Sequence, residues 1–435
     1  MTKTYRPYQP EQDFLLPPSL RDWLPENHLA YFVSDLVDQL DLSAIYAVYE
    51  QDLRGQPPYD PRMMTKLLVY GYCVGVFSAR KIEQRVVEDV GFRVLAAGNA
   101  PDFRTIADFR KMHRKALEGF FEQVLRMALE VGAVTVGRVA LDGSKVKANA
   151  SKHKAMSYGR MQEQEAIRKE VRKLLLRAAE TDAAEDRRYG KNRRGDELPE
   201  ELQRHETRLK RIRAAKQALE ERAREEAKAD GKPGEEAQPA AKEQYNFTDP
   251  ESRIMKSSSE GFVQAYNAQI AVEPGMQLIV GQAVTQAAND KEQVEPMVQA
   301  IEAQSGQRPE EMLADNGYCS EKNLEYLESA KKPEKKIEAY IATGRQKHGE
   351  RWVSPRGPLP QGATRVERMK RKLQTQAGAA IYAARKAIVE PVFGQIKQAR
   401  GFRRFSMRGL AKVQAEWALV CATHNILKLY RLCYG

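Results

Sequence analysis

The chain has 435 residues and 42% hydrophobic content, enough to bury a core and to divide into more than one domain. Its formal net charge of +12 favours a polyanionic partner, most simply nucleic acid. No run of about 18 apolar residues is present, so a spanning helix is excluded, and neither end carries the amphipathic helix or lipid anchor of a membrane-surface protein.

From Pro17 to about Gly132 the apolar spacing predicts helices. Asp60-Pro61 reads as N-cap and first helical position for "RMMTKLLVYGYCVGV", Ser78 as the cap of "ARKIEQRVVEDV", and Thr105 as the opening of "IADFRKMHRKALEGFFEQVLRMALEVG". These helices carry Arg80, Arg104, Arg110 and Arg114, which suits a helix-turn-helix-like DNA module; a helical bundle with a solvated basic face is the equal alternative. At "VGRVALDGSKVKANAS" the period becomes that of a strand. A long polar insertion follows over 152–243. Its apolar residues (Ile167, Val171, Leu174, Ala178, then Leu202, Leu209, Ile212, Leu219) predict an antiparallel helical hairpin, followed by a low-complexity linker.

Strand patterns resume with "EGFVQAYNAQIAV" and "MQLIVGQAVT", joined by Glu273-Pro274-Gly275 as a hairpin signal. Then come a helix, a short strand "EMLADNG", a helix, and a strand "KKIEAYIA". Thr343 to Thr375 holds nine Lys/Arg against two Glu and reads as a basic loop. The last segment, from about Gly378, is helical. Without the insertion, the order from Arg138 is that of the ribonuclease-H-like fold, an α/β core with a mixed sheet. The expected organisation is therefore a helical N-terminal DNA-binding domain (1–135), a catalytic core (136–151, 244–342 and 376–435), the insertion (152–243) and the basic loop (343–375).

Three acids stand out against this order. Asp142 leaves the first strand directly before Gly143, and Asp315 ends a later one in "ADNGY"; alone, each reads equally as a turn former. In the expected fold the first and fourth strands are neighbours, so the two carboxylates face each other. Such a pair repels unless a cation lies between, and hard oxygen donors favour magnesium or manganese. Glu390 is the single acid among six cations from Lys386 to Gly409, and a helix beside those strands would make it the third ligand. Two metal ions about 3.5–4 Å apart can clamp both oxygens of an in-line phosphoryl displacement, with no nucleophilic side chain required. Lys386 and Lys397 share roughly one helical face with Glu390, so Lys397 would reach a phosphate near the ions. Pro391 either starts that helix or kinks one begun earlier.

At these residues the chain resembles the DDE transposases of bacterial insertion sequences, in the insertion-sequence four/five superfamily branch with a helical N-terminal domain. The resemblance covers nearly the whole chain. It rests on "LLPPSLRDWLPENHLAYFV", "YDPRMMTKLLVYGYCVGVFSARKIE", "RTIADFRKMH", "VALDGSKVKANASKH", "YNAQIAV", "LADNGYCS" and "VEPVFGQIKQARGFRRFSMRG", in family order. It implies that Asp142, Asp315 and Glu390 bind two magnesium (or manganese) ions, and that Tyr382, Arg385 and Lys397 match the Y-x-x-R…E…K signature. Four residues rather than three separate Arg385 from Glu390, which leaves open whether Arg385 or Lys386 touches DNA. Arg403 and Arg404 join these contacts. The implied activity is binding of double-stranded DNA at terminal inverted repeats, strand cleavage and 3′-hydroxyl strand transfer by a homodimer, in a cytoplasmic, nucleoid-associated protein. A polar start and four scattered cysteines without a C-x-x-C agree with that compartment.

Two other readings share these residues: a metal-dependent nuclease or resolvase of the same fold, and a catalytically silent transposase-derived DNA-binding protein. Of the remaining residues, His153 reads as solvent-exposed, His424 as a hydrogen-bonded core histidine, and Tyr318 and Asn267 as supports of the site or simple packing.

Overall fold

In the computed structural model, residues 19–50, 57–151, 154–165, 200–229, 237–257, 261–328, 336–344 and 357–435 are described. The helical front follows its sequence signals closely. Helices α1 (Leu29–Gln39), α2 (Ser43–Glu50), α3 (Pro61–Cys73), α4 (Ala79–Glu88), α5 (Val90–Ala96), α6 (Phe103–Met112) and α7 (Arg114–Glu130) succeed one another. Asp60 caps α3 through its carboxylate, which accepts from the Arg62 and Met63 amides, and Pro61 opens the helix. Two expected caps differ. Ser78 stands at the N-cap of α4 without a side-chain bond, and Asp102 rather than Thr105 caps α6, accepting from the Thr105 amide at 2.7 Å. An ionised carboxylate is the stronger acceptor for the free amides of a first turn.

The sheet is mixed and six-stranded. Its strands are β1 (Arg138–Lys147), β4 (Arg253–Ser257), β5 (Gly261–Val272), β6 (Ile279–Thr285), β7 (Glu311–Ala314) and β8 (Glu338–Ile341), in the order β4-β5-β1-β7-β8 with β6 also on β5. The long β5 pairs antiparallel with β1, β4 and β6, whereas β1–β7 and β7–β8 are parallel. The expected hairpin and the expected neighbours both occur. Strand β4 was not legible: "SRIMKS" is short and bounded by turn residues. Helices α9 (Val294–Ser305) and α10 (Glu321–Glu328) connect the parallel strands.

The stretch expected to be a basic loop holds a helix, α11 (Arg365–Leu373). Thr364 and Glu367 close a reciprocal capping box, whose S/T-x-x-E signal is present in "TRVE". Of the insertion, the first arm and His153 lie outside the described residues, as do the side chains of Leu202 and Leu209. The second arm is α8 (Glu200–Ala229), where Ile212, Ala215 and Leu219 are buried against Tyr158 and Met161. A two-stranded sheet of β2 (Ala155–Ser157) and β3 (Gln244–Asn246) closes its base.

The last two helices are α12 (Gln376–Gly394) and α13 (Leu410–Tyr434). Helix α13 is the hub, packing on α7, α3 and β6. It has no polar stripe because it is covered almost all round: Trp417, Leu419, Val420, Cys421 and Ile426 are all buried. The helical front and the sheet therefore share one hydrophobic core. Asn425 makes two 2.8 Å bonds with the backbone of Ile279, satisfying a β6 position with no strand beyond it. His424 is buried and hydrogen-bonded to the Gln277 carbonyl, as expected, and burial pushes its pKa down to about 3.

The joint between front and core is polar at one point. Buried Glu416 accepts from the Tyr72 hydroxyl at 3.2 Å, from the Ser406 and Met407 amides, and from the Ser406 hydroxyl. Arg110 donates to the same Tyr72 hydroxyl and to the Phe77 carbonyl. Glu416→Ala would strand several donors in an apolar setting. It should destabilise the protein by about 3 kcal/mol in chemical denaturation. An unchanged midpoint would show that the network contributes nothing to the joint.

Candidate active site

Parallel pairing of β1 with β7 runs in register through Ala140 and Leu313. Two residues further along the chain stand Asp142, within β1, and Asp315, just past the end of β7, so the first two acids come near each other on adjacent strands. Asp315 turns the chain: its Oδ1 accepts from the Gly317 amide at 2.8 Å and caps the short 3-10 turn Asn316–Tyr318. The turn-former reading of this residue is thus met, and the same turn leaves it beside β1. Asp142 stays within the strand, its Oδ1 accepting from the Gly143 amide at 2.9 Å. Burial raises the Asp142 carboxyl to about 6; Arg385 opposes that rise and Asp315 adds to it.

Glu390 lies on α12 with its side chain 57% exposed. The helix begins well before Pro391, which settles the alternative left by the sequence. Proline lacks the amide that would bond the Ala387 carbonyl, and the Gln277 side chain supplies that bond instead, at 2.9 Å. A π-helical turn, Gln395–Ala399, follows directly. Lys397 on this wide turn donates to the Ser144 hydroxyl and to the Lys145 carbonyl, and burial lowers its pKa.

Arg385 and Lys386 part company. Lys386 is exposed, whereas Arg385 is buried, with guanidinium nitrogens 4.0 Å from both Asp142 and Glu390. Its Nε and Nη1 have no hydrogen-bond partner. Half-buried Tyr382 lies near it on the same helix; burial raises the Tyr382 hydroxyl pKa and the Arg385 charge opposes that rise. A positive charge thus stands between two of the three acids.

One acid of this site was missed. Asp290 Oδ1 accepts from Asn267 Nδ2 and Gln269 Nε2, both at 2.6 Å, and lies 3.5 Å from Lys145 Nζ. Its setting, "AANDKEQ", reads as an ordinary turn before a helix. The available signal was the β1–β5 pairing, which sets Gly143 opposite Gln269 and Lys145 opposite Asn267, four residues that converge on one carboxylate.

The remaining basic residues divide by exposure. Arg403 and Arg404 are exposed between buried Phe402 and Phe405, whose rings pack with Trp417 and pin the segment to the core. That segment also extends β1 through the Lys147 amide and the Phe405 amide. Exposed Arg80 stacks over the Phe103 ring at 4.0 Å, linking α4 to α6. Arg114 begins α7 and is partly exposed, while Arg110 points inward to Tyr72.

Among the described residues, no three Asp, Glu, His or Cys side chains form a ready-made metal cage. The donors nonetheless fit a hard divalent cation in kind. They are carboxylate oxygens, and two of them already share a cation in the Arg385 guanidinium.

Residues 18–112 match the family model described as "Transposase domain (DUF772)", and residues 236–426 match "Transposase DDE domain". No curated protein and no solved structure matches the chain. The two matched domains define a DNA transposase. The chain belongs to the DDE transposases, consistent with an insertion-sequence element, a family that works with divalent metal ions. Asp315, Glu390 and Lys397 lie inside the matched DDE domain. Asp142 precedes it, and its place in the site rests on the strand pairing. No helix among the described residues is long and apolar enough to cross a membrane.

A pH dependence follows from Asp142. Its folded pKa of about 6 exceeds the ordinary aspartate value of 3.8, so its contribution to stability is fully present below about pH 4 and is lost as pH rises through 6. Without metal, Asp142→Asn should therefore stabilise the protein by about 2 kcal/mol at pH 7.5 and be close to neutral at pH 4. Thermal melts across that range measure it; a variant less stable at pH 7.5 would mean that attraction to Arg385 outweighs burial.

Proposed function

We propose that the chain binds the terminal inverted repeats of its element, cuts there and joins the freed 3′-hydroxyl to target DNA, with Asp142, Asp315 and Glu390 as ligands of two magnesium or manganese ions. The core is read as ribonuclease-H-like. Numbered without β2–β4, its strands run 3-2-1-4-5, and the acids sit within the first strand, just past the end of the parallel strand beside it, and on a later long helix. The observation that carries the reading is the meeting of Asp142, Glu390 and Arg385, an acid pair that keeps a cation even in the bare protein.

When bound, the ions would supply Lewis-acid activation and charge neutralisation at the scissile phosphate. In the first displacement water attacks a phosphodiester and a 3′-hydroxyl leaves; in the second that hydroxyl attacks a target phosphodiester, and the target's own 3′-oxygen leaves. The protein's part is to place charge. Lys397, held by Ser144 beside Asp142, faces the phosphate, and exposed Lys386, Arg403 and Arg404 track the backbone on either side. Arg385 acts on the acids, which answers the question left by its spacing. Arg80 and Arg114 of the helical front would contact the element ends, while Arg110 braces the front against the core. Paired ends favour a homodimer on DNA.

Labelled element ends, a target plasmid and either metal test the chemistry. Asp142→Asn, Asp315→Asn and Glu390→Gln should each abolish cleavage and joining while binding persists. Cleavage without joining in the wild type would instead indicate a nuclease. Binding alone, indifferent to metal and to the substitutions, would indicate a silent DNA-binding protein. Backbone contacts have their own signature: Arg403→Ala should reduce the slope of log K against log salt by about 1, whereas Arg110→Ala should leave the slope unchanged and lower thermal stability.

A further inference from the structure

A polar network on β5 and the two segments beside it holds an acid with no role in the account above. We propose that Asp290 is a positioning residue of the transposase site, fixing β1 against the turn after β7 and so setting the separation of Asp142 and Asp315. The inference rests on the reading of those two acids as metal ligands.

The connections run both ways from one carboxylate. Toward β1, Asp290 Oδ1 faces Lys145 Nζ at 3.5 Å, three residues beyond Asp142 on the same strand. Toward β7, Gln269 donates to Asp290 at 2.6 Å and accepts from the Tyr318 hydroxyl through its other amide atom. Tyr318 belongs to the turn that Asp315 caps. Asn323 Nδ2 closes the loop, donating to the Lys291 carbonyl at 2.6 Å and to the Tyr318 carbonyl at 2.7 Å. The two segments that carry the acids are therefore tied through Asp290 as well as through their own ladder.

Two features argue that this acid is more than packing. Gln269 and Asn267 are fully buried and bring only neutral amides, which would bond an asparagine at 290 equally well. Keeping a third carboxylate near Asp142 and Asp315 adds repulsion, which the site tolerates where the charge answers Lys145. The second feature is Gly143. Although Asp-Gly suggests a turn, this glycine lies inside β1, where an added Cβ would collide with Gln269 Nε2 and come 2.7 Å from Asp290 Oδ1. The strand gives up a side chain to let the network approach. Groups that orient metal-ligating side chains from behind typically change metal affinity about 10–100-fold when removed.

The experiment is a Mn²⁺ titration of the full-length, DNA-free protein followed by electron paramagnetic resonance, with melting temperature and DNA-end binding recorded for every variant. Asp142→Asn is the control and should lose Mn²⁺ binding. Asp290→Ala should weaken it about 10–100-fold with DNA-end binding intact. Asp290→Asn, which keeps an acceptor for both amides, should recover part of that loss, a graded rescue that destabilisation alone does not produce. Tyr318→Phe keeps the ring and should weaken Mn²⁺ binding in the same direction, carrying the test if Asp290→Ala does not fold. Wild-type Mn²⁺ affinity in the Asp290 and Tyr318 variants, with Asp142→Asn defective, would overturn the role of Asp290 and leave the site standing. Wild-type affinity in Asp142→Asn would overturn the site itself, and this inference with it.

Discussion

Parallel pairing of β1 and β7 brings two carboxylates near each other, Asp142 within β1 and Asp315 just past the end of β7. Hydrogen bonding of the ladder cannot relieve the repulsion this creates, so the surroundings must. Arg385 does part of it from α12, at a cost of its own, since two of its nitrogens are buried without partners. A buried guanidinium between acids with unfilled donors is poor as a stability device. It is reasonable as a stand-in for a stronger cation that arrives with the substrate. Burial holds the Asp142 pKa up to about 6 even though Arg385 opposes the rise, so one guanidinium does not offset the cost of ionising that carboxyl.

The rest of the fold serves to hold that arrangement still. Helix α12 must present Arg385 inward and Glu390 outward within five residues, and the break imposed by Pro391 is repaired by Gln277 from the β5–β6 hairpin. The wide turn that follows aims Lys397 at Ser144 of β1. Helix α13 then binds everything together, with one side against the sheet and the other against α3 and α7. Because the helical front shares a core with the sheet, DNA bound by the front, as proposed, would be held at a fixed distance from the acids. A looser linkage would leave that distance to chance. The Arg110–Tyr72–Glu416 network lies at this joint, which explains why one basic residue of the helical front points inward.

Much of this was legible in the residues, for identifiable reasons. Strand β1, the β5–β6 hairpin and the acid-ended β7 announce themselves through alternation and turn residues, signals set by local geometry. Asp142, Asp315 and Glu390 stood out as candidates because their spacing follows the order of elements, and the fold brings Asp142 and Glu390 to Arg385. What escaped depends on pairing across the chain. Asp290 becomes meaningful only when β5 is laid against β1 and brings Gln269 and Asn267 to it. The burial of Arg385 beside exposed Lys386 is set by the rotation of α12 over the sheet. Helix α11 is a different kind of miss, since its capping box is local and was hidden by the density of charge around it.

The central claim is that the cation now supplied by Arg385 is replaced by divalent metal at Asp142 and Asp315. A crystal structure of the full chain on its element-end DNA, soaked in Mn²⁺ and read by anomalous scattering, tests this directly. The account predicts manganese bound by Asp142 and Asp315, with Arg385 displaced from its present position between Asp142 and Glu390. Manganese bound elsewhere, or an acid cluster still closed around Arg385 with DNA in place, would contradict it.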